Sequence, residues 1–300
     1  MKEVINEIKE RFKRGDILTR LIYINVGVYA LFIIFRLISG LTSSGNQSMW
    51  LIDLIYDFTA LNTELLSVII KPWTLITHQF VHALSPWHLL GNMVLLYFLG
   101  KLFLTYFNSK QLLGLYFLGG LIGATALILI ANVSPYFDQP VTAIGASAAV
   151  MAISIAACTY APNQQVFLFG MFRVPLKWIG VGLIVSDLIF FFDNNTGGHV
   201  AHLGGAFAGF WFATSMKQGK DVTKTINSFI GWIVTRFSKK SKLTVEYRNN
   251  ARDLNDDEYN YYKAATQEQI DEILDKINSS GYESLTKKEK EILFKYSNHK

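Results

Sequence analysis

The sequence predicts an all-α integral membrane protein: a bundle of six transmembrane helices followed by a small soluble helical region. Of its 300 residues, 51% are hydrophobic and only 17% are charged, whereas a soluble chain carries about 25% charged residues. The charges crowd toward the two ends of the chain. Between them, apolar stretches of about twenty residues recur, which is the length that a bilayer core requires.

These patterns divide the chain into four predicted parts. Residues 1–16 form a cytosolic amphipathic arm, 17–216 the six-helix core, 217–242 a basic juxtamembrane segment and 243–300 a cytosolic helical tail. The arm alternates charged and apolar residues, which is typical of a helix lying on a membrane surface, although a solvated arm fits as well. The juxtamembrane segment alternates apolar and polar residues before a basic run, which favours contact with anionic lipid.

The six spans follow from the apolar stretches. They run at about Ile17–Ser39, Trp87–Phe107, Gln111–Ala131, Gly145–Tyr160, Leu176–Phe192 and His199–Met216. Between the first two spans, residues 40–73 contain apolar pieces that are too short to cross a bilayer. This connection is therefore predicted to be interfacial or re-entrant.

Loop charge predicts the orientation of these spans. The N-terminal arm is rich in Lys and Arg and belongs in the cytoplasm, so six spans return the C-terminus to the same side. The other loops agree, because basic residues recur on the cytoplasmic side and Lys71 is the one basic residue in the opposite loops. We predict a bacterial inner membrane, both termini in the cytoplasm and no cleavable signal peptide.

The remaining composition excludes two other classes. The net charge of +5 does not indicate nucleic acid, because the basic residues flank apolar segments and follow from topology. Cys158 is the one cysteine, which excludes an intrachain disulfide framework.

Four polar residues are predicted to lie at the same depth. Spans two, four and six all run inward from the outer face. His88 and Asn92 stand at the start of span two, Ser147 at the start of span four and His202 at the start of span six. All four are therefore expected just below the outer surface, close enough together to form a site.

Each of these residues also has a simpler explanation. Ser147 could cap its helix, and taken alone it favours capping or packing. His202 could be a packing histidine, although ionisable residues at membrane depth are rare and tend to be functional. His88 and Asn92, four residues apart on one helix face, could share a hydrogen bond or present donors to developing negative charge. Together, however, Ser147 with His202 as general base would be a minimal hydrolytic nucleophile.

Packing must bring spans four and six together for that chemistry. Small residues surround Ser147, and Gly205-x-x-x-Gly209 has the spacing of closely packed membrane helices. We see no acid placed to orient His202, so we predict a dyad whose imidazole is held by ring stacking and packing. For Asp187, an acid within span five, we expect a hydrogen bond to Ser186 or to a neighbouring helix rather than a place on the substrate entry side.

Three short motifs resemble the rhomboid family of intramembrane serine proteases. They are His88-x-x-x-Asn92, Gly145-x-Ser147 and Ala201-His202-x-x-Gly205-x-x-x-Gly209, and the resemblance covers about residues 17–216. It implies that Ser147 is the nucleophile and His202 the general base and acid. It also implies that His88 and Asn92 join the Ser147 backbone N–H in an oxyanion hole. A water-filled cavity open to the outside and transmembrane-protein substrates follow from it, and we expect no cofactor and no metal.

The chain departs from the family pattern in places. Ala148 replaces the glycine that usually follows the serine, and Met151 stands where an aromatic residue often stacks on the histidine. His78 and His82 resemble the polar cluster that the family places near its outer loop, and we do not expect them to be catalytic. The alternative function is a catalytically silent relative that binds membrane proteins for quality control. A transporter would show inverted repeats, which we do not see.

The tail is predicted to be a helical hairpin. Its apolar residues Ile270, Ile273, Leu274 and Ile277 follow helical spacing, and Gly281 can close that helix. Thr286-x-x-Glu289 is a capping-box pattern for a second helix, expected to bury Ile292, Leu293 and Tyr296. We predict an interaction or regulatory module with a cytosolic partner.

Overall fold

The computed structural model describes residues 12, 15–42, 50–168, 170–193, 195–237, 269–290 and 293. Two compact units divide the chain, one ending at Ser238 and the other beginning at Lys239. The predicted amphipathic arm lies almost wholly outside the described residues, as does the basic run that follows residue 237.

Helices make up most of the first unit. They are α1 (Ile17–Thr42), α2 (Trp50–Thr59), α3 (Leu65–Ile70), α4 (Thr74–Thr77), α5 (Pro86–Leu104), α6 (Ser109–Val133), α7 (Ser147–Tyr160), α8 (Leu176–Ile189), α9 (Thr196–Lys217) and α10 (Lys224–Phe237). A 3₁₀ turn at His78–Phe80 follows α4. The predicted spans coincide with α1 and with α5 to α9.

Within the described part of the chain, three helices are long and apolar enough to cross a membrane: α1, α5 and α6. Helix α7 is apolar but shorter, and α8 has only 14 residues. The prediction of a mostly helical membrane protein is confirmed, whereas the count of six spans remains a prediction.

Helix α7 lies at the centre of the bundle. Every residue from Ala148 to Cys158 is buried, and α5, α6, α8 and α9 all pack against it. A helix that is apolar on all faces must be surrounded by protein or lipid, because no side of it can face water. Here protein surrounds it, so the first residue of α7 lies in the interior of the bundle.

Glycines bring α9 against α7 as the small-residue pattern predicts. A Cβ at Gly205 would overlap the carbonyl oxygen of Ala148, and one at Gly209 would overlap that of Ala152. Helix α6 is equally close, since a Cβ at Gly123 would lie 2.6 Å from the Ala148 Cβ. The backbones can approach this closely only because these positions have no side chain.

Two short antiparallel sheets join the helices. Strand β1 (Leu61–Asn62) pairs with β2 (Thr142–Ala143) and so ties the first connection to the segment just before α7. Strands β3 (Gln165–Leu168) and β4 (Phe172–Pro175) form a hairpin between α7 and α8.

The connection before α5 exposes an apolar surface. Large side chains on α2, α3 and the residues after them are more than a third exposed: Trp50, Leu54, Phe58, Leu65, Leu66, Ile69, Ile70 and Trp73. Apolar surface of this extent is uncommon on a protein that meets only water. It suits the interfacial location that the sequence predicts.

The second unit contains the first helix of the predicted hairpin. Residues 269–280 are helical, and Gly281, with a φ of +78°, donates its backbone N–H to the Ile277 carbonyl at 2.9 Å. The capping box is confirmed: Thr286 donates its N–H to Glu289 Oε2 at 2.6 Å, and Glu289 N–H donates to Thr286 Oγ1 at 3.4 Å. Ile292 and Tyr296 lie outside the described residues.

Candidate active site

A tight turn delivers Ser147 to the start of α7. Gly145 has a φ of +123°, which side chains other than hydrogen disfavour, and its N–H donates to the His78 carbonyl at 2.9 Å. Ser147 is the first helical residue, the residue before the helix is Ala146, and no side chain caps the helix. The capping alternative for Ser147 is therefore wrong, and the first backbone N–H groups of α7 keep no intrahelical partner.

One cavity brings together the four residues that the sequence selects. It has a volume of about 580 Å³, and Ser147, His202, His88 and Asn92 all line it. They come from three helices, α7, α9 and α5, each near its N-terminal end. The four side chains thus share one cavity, while the catalytic role of each stays a prediction.

His88 is held so that one ring nitrogen faces the turn. Its Nδ1 accepts a hydrogen bond from the Ala83 backbone N–H at 3.3 Å, so the neutral ring carries its proton on Nε2. A Cβ placed on Gly145 would lie 3.0 Å from His88 Nε2 and 3.6 Å from Ser147 Oγ. His88 Nε2 and Ser147 Oγ thus both face the open position at Gly145.

Asn92 makes the intrahelical bond that was the simpler of its two explanations. Its Nδ2 donates to the His88 carbonyl at 2.8 Å. A carboxamide nitrogen has two N–H groups, and this bond uses one of them. Asn92 is buried and lines the cavity, so its second N–H is available there.

His202 has an acidic partner that the sequence analysis did not assign to it. Its Nδ1 lies 2.8 Å from Asp187 Oδ1, and the Nδ1 of His199 lies 2.7 Å from the same oxygen. The prediction that no acid orients His202 is therefore wrong. Asp187 does bond to a neighbouring helix, as one alternative expected, but not to Ser186, whose hydroxyl donates to the Leu183 carbonyl at 2.8 Å.

Comparison with known proteins places this arrangement in a family. A family model described as Rhomboid domain matches residues 70–218. The matched region contains all four predicted site residues, together with Asp187 and His199. This chain belongs to the rhomboid family.

A curated relative agrees with that assignment. The rhomboid domain of this chain is similar to RHOMBOID-like protein 12, mitochondrial, from Arabidopsis thaliana, with 32% identity over 145 residues. The match covers 44% of this chain and 43% of the relative, so the chain aligns with less than half of that protein's length. Outside the rhomboid domain, residues 255–299 match a family of unknown function, DUF6576.

His199 is the rhomboid-domain site residue that sequence reasoning missed. A signal was present, because His199 and His202 are three residues apart and share a face of one helix. Asp187 also lies near the C-terminal end of α8, the helix before α9. This places its side chain at the level where α9 begins. A search for partners at matching depth would have joined these three side chains.

The same three side chains form a set that could hold a metal ion. Their candidate ligand atoms all lie within 4.8 Å of one another, and histidine with carboxylate is a usual zinc donor set. The separations of 2.7 and 2.8 Å between Asp187 Oδ1 and the two Nδ1 atoms are those of hydrogen bonds. Two ligands on a tetrahedral zinc ion would be about 3.3 Å apart, so this geometry is that of a hydrogen-bonded cluster.

Met151 has a packing role in the rhomboid core. It clusters with Ile155 and Ala206, against which Leu183 and Ile184 also pack. The ring recorded near His202 is that of His199, at a centroid distance of 5.8 Å and nearly perpendicular. The imidazole thus has a ring contact, as predicted, and in addition a hydrogen bond to Asp187.

His78 and His82 brace the loop beside the site. Burial lowers the pKa of each ring from its ordinary value to about 4, so both are neutral near pH 7. His78 Nδ1 donates to the Thr74 carbonyl at 2.7 Å, while its own carbonyl holds Gly145. This fits the expectation that neither ring is catalytic.

Proposed function

We propose that this rhomboid-family membrane protein is an intramembrane serine endopeptidase that hydrolyses peptide bonds in or near the transmembrane segments of other proteins. The observation that carries the proposal is the single cavity shared by a serine, a histidine base and two side-chain donors. A catalytically silent member that only binds membrane proteins needs no such set.

The first step forms an acyl-enzyme. Ser147 Oγ attacks the substrate carbonyl carbon while His202 Nε2 takes the hydroxyl proton. The carbonyl π electrons move to oxygen, and that oxyanion accepts hydrogen bonds from His88 Nε2–H, Asn92 Nδ2–H and the Ser147 backbone N–H at the positive end of the helix dipole. The C–N bond then breaks, and His202 gives its proton to the leaving amine.

Water completes the reaction. His202 takes a proton from a water molecule as that water attacks the acyl carbon, and the C–Oγ bond breaks as His202 returns the proton to Ser147. In the described structure no hydrogen bond joins Ser147 Oγ to His202. Catalytic hydrogen bonds are often long before substrate binds, and in this proposal the bond between Ser147 Oγ and His202 Nε2 forms when substrate is present.

The orientation of the bundle forms part of the proposal. With six spans and both termini in the cytoplasm, the cavity opens near the outer face, and substrates are cut near the outer ends of their helices. Such a substrate must unwind locally, since a helical peptide bond is enclosed by its own hydrogen bonds. The location in a bacterial inner membrane stays a prediction, and the relative from Arabidopsis thaliana is named as a mitochondrial protein.

Two substitutions test the chemistry. Ser147→Ala and His202→Ala should each abolish cleavage of a model transmembrane substrate, and Ser147→Ala should also abolish labelling by a fluorophosphonate. Ser154→Ala is the matched control, because this hydroxyl lies on the same helix and bonds to the Val150 carbonyl at 2.7 Å. Cleavage that persists undiminished in either site variant, or wild-type protein that neither cleaves nor labels, would contradict the proposal.

A further inference from the structure

We propose that Asp187 is a positioning residue that turns the Ser147–His202 pair into a Ser-His-Asp triad, with His199 as a second donor that holds the carboxylate. This inference rests on the proposed protease function. It concerns the carboxylate of α8, which the predicted dyad left without a role.

The hydrogen bonds determine which nitrogen of His202 can act as base. An ionised carboxylate only accepts hydrogen bonds, so the 2.8 Å contact with Asp187 Oδ1 places a proton on His202 Nδ1. The lone pair of the neutral ring is then on Nε2. Because His202 lines the Ser147 cavity, Nε2 is the nitrogen left for the serine.

Charge explains why an acid is useful at this point. When His202 takes the serine proton, the imidazole becomes positive inside a bundle where water is scarce. A carboxylate in contact with it turns that step from the creation of an isolated charge into the formation of an ion pair. Asp187 thus stabilises the state that follows proton transfer, without itself receiving the proton.

His199 fits a supporting role and not a second base. It donates to the same Oδ1 at 2.7 Å, but it is not among the residues that line the cavity. Two donors on one oxygen fix the carboxylate more firmly than one donor would. Only one of the two histidines therefore has access to Ser147.

A purely structural role would be a costly use of this acid. Asp187 is 5% exposed, and its Oδ2 is buried without a hydrogen-bond partner in the structure. An unsatisfied buried oxygen destabilises a fold, and apolar contacts hold helices together at least as well as buried ion pairs do. Asp187 is also the one buried residue in the C-terminal half of α8, since the others are Leu176 and Gly180.

The experiment compares Asp187→Asn, Asp187→Glu and His199→Gln in the full chain. Asp187→Asn keeps the shape but removes the charge, and we expect kcat to fall by about 10²–10⁴-fold, as for other Ser-His-Asp triads. We expect KM to stay unchanged, because Asp187 does not touch substrate. Fluorophosphonate labelling of Ser147 should slow in parallel. Asp187→Glu should recover part of the rate, and His199→Gln should lose much less than Asp187→Asn.

Ser186→Ala is the control, because its hydroxyl bonds only within α8. Rates are divided by the fraction of folded protein, measured by thermal unfolding, so that a folding defect is separated from a catalytic one. Wild-type kcat in Asp187→Asn, or a loss that matches the folded fraction alone, would overturn this inference while leaving the protease function intact. Wild-type protein without cleavage or labelling would instead overturn the function itself.

Discussion

His88 and His202, which both line the cavity, are held as opposite tautomers. The Ala83 backbone N–H donates to His88 Nδ1, so His88 presents a proton on Nε2. Asp187 accepts from His202 Nδ1, so His202 presents a lone pair on Nε2. At the scale of single residues, one backbone group and one carboxylate thus make one imidazole a donor and the other a base.

The assignment of His88 and Asn92 as hydrogen-bond donors to the oxyanion predicts that loss of either side chain slows the chemical step. His88→Ala and Asn92→Ala should each lower kcat by about 10²–10³-fold, because each removes a donor from the oxyanion. Leu90→Ala is the control, since Leu90 is half exposed on the same helix. Steady-state kinetics on a model substrate measure the effect, and a change confined to KM would show that these residues only bind substrate.

Helices α7 and α8 show how packing at the element scale supports the site. Helix α7 is enclosed by its neighbours and holds Ser147 at its start, whereas α8 buries only Leu176, Gly180 and Asp187. The proposed nucleophile is therefore carried by the most enclosed element. The acid comes from an element held by few buried residues, so the orientation of His202 depends on the position of α8.

Close packing of α9 on α7 predicts a steep cost for a single methyl group. Gly205→Ala should destabilise the protein by about 1–3 kcal/mol, because the new Cβ meets the Ala148 backbone oxygen, which no side-chain rotation can move. Gly27→Ala on α1 is the matched control, with nothing within 4 Å of its Cβ. Thermal unfolding in detergent measures both, and equal melting temperatures for the two variants would contradict this packing.

At the scale of the whole molecule, the rhomboid domain and the tail are separate units. Residues 70–218 carry the rhomboid match and residues 255–299 match a family of unknown function. Every residue of the candidate site lies in the first unit. We therefore propose that the tail regulates the protease or docks a cytosolic partner without taking part in the chemistry.

Limited proteolysis of membrane vesicles tests both the orientation and the role of the tail. A protease added to inverted membrane vesicles should remove residues 243–300, because the tail is predicted to be cytoplasmic. The same protease added to intact spheroplasts should leave the tail in place. The trimmed protein should keep its rate on a model substrate. Cleavage of the tail in spheroplasts would contradict the predicted topology. Loss of activity after the tail is removed would show that the tail is needed for catalysis.

Sequence alone determined the helical membrane class, the family and four of the side chains that line the cavity. Apolar length and small-residue spacing are local properties, and helix order then places Ser147, His202, His88 and Asn92 near one level. The capping box of the tail was equally visible, since its two partners are three residues apart. These features need no knowledge of how a helix is rotated about its axis.

Only the tertiary structure decided the partner of the base. Asp187 and His202 are on different helices, and whether they meet depends on the rotation of α8, which is apolar on most faces and gives no periodic signal. The role of Ser147 was decided in the same way, because capping and presentation to a cavity differ only in backbone geometry at Gly145. Sequence order brings side chains to one depth, but packing determines which of them face each other.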